Sequence, residues 1–192
     1  DEVMTFVLAG HETTAVALSW TWYLLGRHPE IEQRLRDEIA SAVGQRTPNP
    51  GDLPALRYVR MVVDEAMRLY PPVWAIGRQP LADDQVGPFR IKAGAPVNLA
   101  VWVTHRHPDF WPDPERFDPE RFAPERTASR HRFAYLPFSG GPRLCIGNEF
   151  ALMELVLVVT MMAQRYRISP VDPDRVIEPL VRVTLRPNGG VP

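Results

Sequence analysis

Phe138–Gly147 reads FSGGPRLCIG and runs straight into NEFALMELVLVV, residues 148–159. Glycines at 140, 141 and 147 together with Pro142 dictate a tight loop, and the apolar run behind it has the length of a helix. Cys145 therefore stands just ahead of a helix start. The positive end of that helix and its free N–H groups lower a thiol's pKa, so a thiolate there serves as an anionic ligand or a nucleophile. Arg143 adds a permanent cation two residues earlier. Phe138 is placed to shield the sulfur from water. The competing reading is a buried structural cysteine, the commoner fate of a lone Cys.

Cys145 is the one cysteine among 192 residues. That excludes a disulfide framework and any all-cysteine zinc or iron-sulfur site within the chain. Lys and Arg total 22 against 23 Asp and Glu, a net charge of -1, which gives neither a nucleic-acid footprint nor an acidic tail. With 45% hydrophobic and 23% charged residues, the composition is that of a soluble globular domain. Proline is the outlier, at 21 residues, so much of the chain is turn and meander. The longest apolar run, Phe150 to Ala163, is broken by Glu154 and falls short of the roughly 18 residues of a membrane span. No targeting segment is visible, and a soluble, cytoplasmic protein is expected.

Outward from the loop, helical periodicity is strong. Val3, Phe6, Val7, Gly10, Thr14, Val16, Ala17, Trp20 and Leu24 recur at helical spacing from the first residues on, without a cap before them. The chain thus reads as a piece cut from a longer protein. Pro29 opens a second helix, with Ile31, Leu35, Ile39 and Val43 as its stripe and Gly44 as its end. Tyr58, Val62, Ala66 and Leu69 mark a third, stopped by Pro71 and Pro72. Trp74 to Trp102 reads as short antiparallel strands, and a proline-dense meander with the local duplication PERFDPERF follows. A last helix spans about Asn148 to Tyr166, with strand-like text at Arg167–Ser169 and Val181–Arg186.

The order of residues in FSGGPRLCIG resembles the haem-ligand loop of the cytochrome P450 family, the haem-thiolate monooxygenases. Three further motifs resemble the same family in the same order. EAMR places Glu65 and Arg68 on one helix face. FDPERF supplies Arg121, which by resemblance completes a buried Glu-Arg-Arg network. AGHETT is similar to the oxygen-binding groove of the family's long central helix, with Ala9 and Gly10 beside Glu12 and Thr13.

That resemblance implies a mainly α fold with a small β portion, the C-terminal part of the P450 fold. Residues 1–192 would form one partial domain, from within the central distal helix to near the C-terminus. It implies iron protoporphyrin IX, haem b, with Cys145 as the axial ligand of the iron in a loop closed by Gly147. Arg78 and Arg143 are the expected propionate partners. Glu12 and Thr13 are the expected proton relay beside a widened turn of helix at Ala9 and Gly10. Glu65, Arg68 and Arg121 hold the meander rather than do chemistry. Pro72 to Ala75, with Val73 and Trp74 foremost, and Val181 to Thr184 around Val183 line the substrate pocket. The implied partners are a small, apolar organic substrate, O2, and an external reductase or ferredoxin passing on NAD(P)H-derived electrons. The alternatives are a haem-thiolate isomerase or peroxygenase, and a catalytically incompetent haem-binding fragment.

Two metal readings compete. HETTA opens like the zinc-protease HExxH, but Ala15 stands where the second histidine is needed, so that reading fails. His105 and His107 would share one side of a strand, yet two histidines without a further ligand are ordinary polar residues.

Overall fold

A computed structural model describes residues 1–192. The first helix, α1 (Glu2–Arg27), buries Val16, Ala17, Trp20, Leu24 and Leu25 along its second half. Its first half presents Val3, Phe6, Val7 and Leu8 to solvent. Helix α2 (Pro29–Ala42) starts on proline, whose missing N–H would be unpaired there anyway, and buries the stripe Ile31, Leu35 and Ile39. Gly44 ends it with φ +66°, and its N–H returns to the Ile39 carbonyl at 3.1 Å.

Helix α3 (Arg57–Leu69) has no side-chain cap from its own flank. Glu38 of α2 supplies one: its two carboxylate oxygens accept the Tyr58 and Val59 N–H groups at 2.8 and 2.9 Å. A negative charge on free N–H groups at a positive helix end both caps α3 and fixes its approach to α2. Beyond Pro71 and Pro72 come two hairpins. Strand β1 (Ile76–Arg78) pairs with β4 (Val97–Leu99), Gly77 opposite Asn98, and β2 (Asp84–Val86) pairs with β3 (Phe89–Ile91), Gln85 opposite Arg90.

The proline-dense segment contains only single turns, among them α4 (Val101–Thr104) and α5 (Pro124–Thr127). Helix α6 (Asn148–Arg165) buries Leu152, Leu155, Val156 and Val159. The chain ends on a third hairpin, β5 (Pro179–Val181) with β6 (Leu185–Pro187), Leu180 opposite Arg186. Helices α1, α2, α3 and α6 share one core in which Trp20, Leu35, Val59, Val62 and Val159 are wholly buried. The fold is thus mainly α with a small β portion. No helix is long and apolar enough to cross a membrane.

Two segments depart from the strand reading. Val101–Thr104, the end of PVNLAVWV, closes into α4 because the Thr104 and His105 N–H groups return to the Ala100 and Val101 carbonyls at 2.9 Å. Val101 is buried in this turn, while Val103 faces solvent. Arg167–Ser169 has no strand partner and is irregular.

Candidate active site

The loop 138–147 is held by its own backbone. The Cys145 N–H donates to the Phe138 carbonyl at 3.0 Å, and the Leu144 N–H to that of Gly141 at 3.0 Å. Ser139 and Gly141 both take left-handed conformations, φ +67° and +69°. Glycine does so freely, whereas a serine there stores strain of about 1–3 kcal/mol, a feature that clusters at functional sites. A side chain at Gly140 would press on the Phe133 ring, its Cβ 3.3 Å from the nearest ring carbon. Gly147 caps α6 next to the thiol, and a Cβ there would stand in ordinary contact with Sγ at 4.0 Å.

The Cys145 thiol is exposed on residues 1–192. It is ringed in sequence by exposed apolar side chains: Leu144, Phe150 and Ile146, the last 89% exposed. Phe138 does not shield it, because its ring is turned onto the hydrophobic core. Arg143 is exposed, with no protein partner. Arg78 reaches the loop from β1, donating from Nη2 to the Ser139 hydroxyl at 2.9 Å and from Nη1 to the Gly77 carbonyl at 2.8 Å.

Ala9, Gly10, Glu12 and Thr13 lie where α1 turns from an exposed to a buried face. The widened turn is absent, for α1 is continuous α-helix through all four. The Thr13 hydroxyl donates to the Ala9 carbonyl at 2.6 Å, the back-bond common for helical threonine. A side chain at Gly10 would meet nothing within 4 Å, so the helix faces open space there. Glu12 is engaged from across the molecule. Its Oε1 accepts the Thr184 hydroxyl and Arg186 Nε at 3.0 Å, and Arg186 Nη2 pairs with it at 2.8 Å. The Thr184 hydroxyl first, and then the Arg186 guanidinium, hold this carboxyl below the usual carboxylate range. Oε2 has no protein partner.

The expected pocket residues come together. The Trp74 indole donates to the Arg182 carbonyl at 2.9 Å, the Leu185 N–H to the Pro72 carbonyl at 3.0 Å, and the Trp20 indole to the Leu185 carbonyl at 2.7 Å. These bonds join the turn after α3 to the β5–β6 hairpin and dock both on α1. Val73 and Trp74 thereby stand beside the hairpin tip, where Val183 is 91% exposed.

Glu65, Arg68 and Arg121 form a cluster apart from these groups. Arg68 grips Glu65 with two bonds, Nε to Oε2 at 2.6 Å and Nη2 to Oε1 at 2.9 Å, and neither side chain is exposed. Nη1 of Arg68 also donates to the carbonyls of His105 and Pro114, both at 2.8 Å. Glu65 Oε1 accepts the Asp118 N–H at 2.9 Å, so the pair stitches the proline-dense segment onto α3. Arg121 is the looser member: its Nε lies 3.4 Å from Glu65 without a hydrogen bond, and Nη2 donates to the Asp113 carbonyl at 2.7 Å. Burial pushes the Glu65 carboxyl up, against the Arg68 fork that holds it down.

The His105 and His107 pair does not exist. His105 is buried just beyond α4, its Nε2 accepting the Leu136 N–H at 2.8 Å and its Nδ1 facing the Arg68 carbonyl at 3.3 Å. Burial lowers its pKa to about 3, so it is a neutral structural tie. No group of three metal-ligating side chains occurs in the chain. The sequence reading missed Arg186 and Glu38. Alternation in VRVTLR was the available signal for Arg186, because it sets Arg182, Thr184 and Arg186 on one face of the hairpin.

Known proteins share this architecture. The family model described as Cytochrome P450 matches residues 1–191. Cytochrome P450 132 of Mycobacterium tuberculosis is 42% identical over 191 residues, 100% of this chain and 41% of that protein. Cyclooctat-9-en-7-ol 5-monooxygenase of Streptomyces melanosporofaciens is 42% identical over 171 residues, 89% of this chain and 37% of that one. The crystal structure of the cytochrome P450DA heme domain superposes with a TM-score of 0.91 at 33% identity, covering 98% of this chain and 42% of that one. The chain therefore spans about two fifths of the length of the proteins it matches. With a family match running through the cysteine loop, the α3 ion pair and the threonine turn of α1, this chain belongs to the cytochrome P450 family.

Proposed function

We propose that the protein is a haem-dependent monooxygenase, inserting one atom of O2 into an apolar organic substrate with NAD(P)H-derived electrons from a separate reductase or ferredoxin. Residues 1–192 form the part of its domain from within the central distal helix onward. The exposed apolar half of α1 is the surface the rest of such a domain covers.

The observation that carries this reading is the exposed Cys145 thiol, in a strained loop with Leu144, Ile146 and Phe150 bare around it. Family membership brings a haem, and we assign iron protoporphyrin IX, haem b, with its iron on Cys145. The residues present fit it. An open thiol with apolar neighbours suits an apolar macrocycle, and Arg78 and Arg143 offer guanidinium groups for the propionates. When bound, the haem supplies dioxygen activation, and a thiolate ligand favours O–O cleavage.

Protein groups deliver the protons. Thr13 donates its hydrogen to Ala9, which turns the hydroxyl oxygen's lone pairs outward. The neighbouring Glu12 keeps Oε2 free to exchange protons with water. An acid and a hydroxyl in succession suit dioxygen activation rather than isomerisation. The full-length enzyme, supplied with a reductant and a panel of apolar compounds under 18O-labelled dioxygen, tests the reading. The product carries one labelled atom; label in neither product nor water overturns it.

A further inference from the structure

We propose that Glu12 does two jobs with its two oxygens: Oε1 latches the β5–β6 hairpin to α1 and so fixes where Val183 stands, while Oε2 stays free for proton transfer. Thr184 and Arg186 are then positioning residues. The second half of this statement rests on the monooxygenase reading, and the first does not.

The geometry is asymmetric. Two donors, the Thr184 hydroxyl and Arg186 Nε, hydrogen-bond to one oxygen, Arg186 Nη2 pairs with that same oxygen at 2.8 Å, and no group of the chain hydrogen-bonds to the other. A carboxylate merely solvated on a helix face would show no such preference. Thr184 is 3% exposed, so water cannot replace Glu12 as the partner of its hydroxyl. Arg186 also braces Thr184 directly, with Nε 3.4 Å from its Oγ1.

The hairpin needs a tether. Three residues per strand are too few to stand alone; the other ties run through Leu185, to Pro72 and Trp20, and through the Arg182 carbonyl, to the Trp74 indole. Glu12 grips one face of the strand leading back from the tip, at Thr184 and at Arg186. Val183 lies next to Thr184 in the chain, and Glu12 lies next to Thr13. A bulky molecule pressing on Val183 therefore moves the acid beside the threonine, which couples the shape of the pocket wall to the placement of the proton donor.

The test uses the full-length, haem-loaded protein and the variants Thr184→Val, Thr184→Ser, Arg186→Ala and Glu12→Gln. Amide hydrogen exchange over residues 179–187 is the first readout. Exchange there rises about fivefold or more in Thr184→Val, Arg186→Ala and Glu12→Gln, the combination Glu12→Gln with Arg186→Ala rises no further than either alone, and Thr184→Ser restores the wild-type rate. The second readout is the Soret shift on binding imidazole and 4-phenylimidazole. Imidazole affinity stays within about twofold while that of the bulkier probe changes about fivefold, because only the latter reaches the wall. Wild-type exchange in Arg186→Ala and Thr184→Val, or an unchanged affinity ratio between the two probes, overturns the latch. The reduced carbonyl spectrum of the wild type reports the thiolate haem separately, so a failed functional reading leaves the exchange result to decide the latch by itself.

Discussion

Arg78 and Ser139 are joined at 2.9 Å, from a guanidinium nitrogen on β1 to a hydroxyl in the cysteine loop, and the serine is held there in a left-handed conformation. A strand that follows α3 is thereby tied to the loop that precedes α6. The bond leaves the guanidinium oriented at the loop rather than loose in solvent. Arg78→Ala in the full-length enzyme is expected to speed haem transfer to apomyoglobin several-fold with the thiolate spectrum intact. Equal transfer rates would remove Arg78 from the haem contacts.

The ion pair of Glu65 and Arg68 sets the stability of the proline-dense segment. Removing one partner strands a buried charge, at a cost of about 3–5 kcal/mol, so Glu65→Ala and Arg68→Ala should yield little or no folded, haem-loaded protein. Arg121→Ala should be milder, since its guanidinium makes no hydrogen bond to Glu65. Thermal melting and soluble yield decide this, and a normal melt for Arg68→Ala would mean the pair is not the clamp.

Thr13→Ala tests the relay. Haem content and electron consumption should persist while electrons divert to peroxide, the yield of product per electron falling by up to about 100-fold. Product yield per electron at the wild-type level would assign Thr13 to the helix alone, where its bond to Ala9 already gives it a structural use.

Acid stability should carry the mark of His105. Its folded pKa is about 3 against 6.5 when free, so between those values the unfolded chain binds a proton that the native state refuses. Stability contributed by the neutral imidazole is present above pH 6.5 and is lost on acidification, at about 1.4 kcal/mol per pH unit. Asp52, held down to about 2 chiefly by Arg46, adds its own loss only below pH 3.8. Urea titrations of His105→Gln from pH 7 to 4 should show a slope shallower by about one proton; the wild-type slope would contradict this.

The helices are legible in the sequence because their apolar spacing and their stops are local. Ile31, Leu35 and Ile39 need only each other to define a face, and Pro71 ends α3 by itself. Cys145 is legible for the same reason, its loop being a contiguous string. α4 is not, because Val101 and Val103 favour a strand until the partner strand runs out beyond Ile76, opposite Leu99. Glu12 can be singled out from AGHETT, but its partner Arg186 lies 174 residues away, and the alternation in VRVTLR sets Arg186 on a face without pointing to Glu12. His105 reads as a candidate ligand only while its strand is assumed. Once α4 turns, the ring faces Leu136 and Arg68.

The most direct measurement is the absorption spectrum of the reduced, carbonyl-bound full-length protein, wild type against Cys145→Ala. The far red-shifted Soret band of thiolate ligation is expected in the wild type and its loss in the variant, because Cys145 is the cysteine of the haem-ligand loop. A red-shifted band that survives Cys145→Ala, or a wild-type band at the position of histidine-ligated haem, would contradict it.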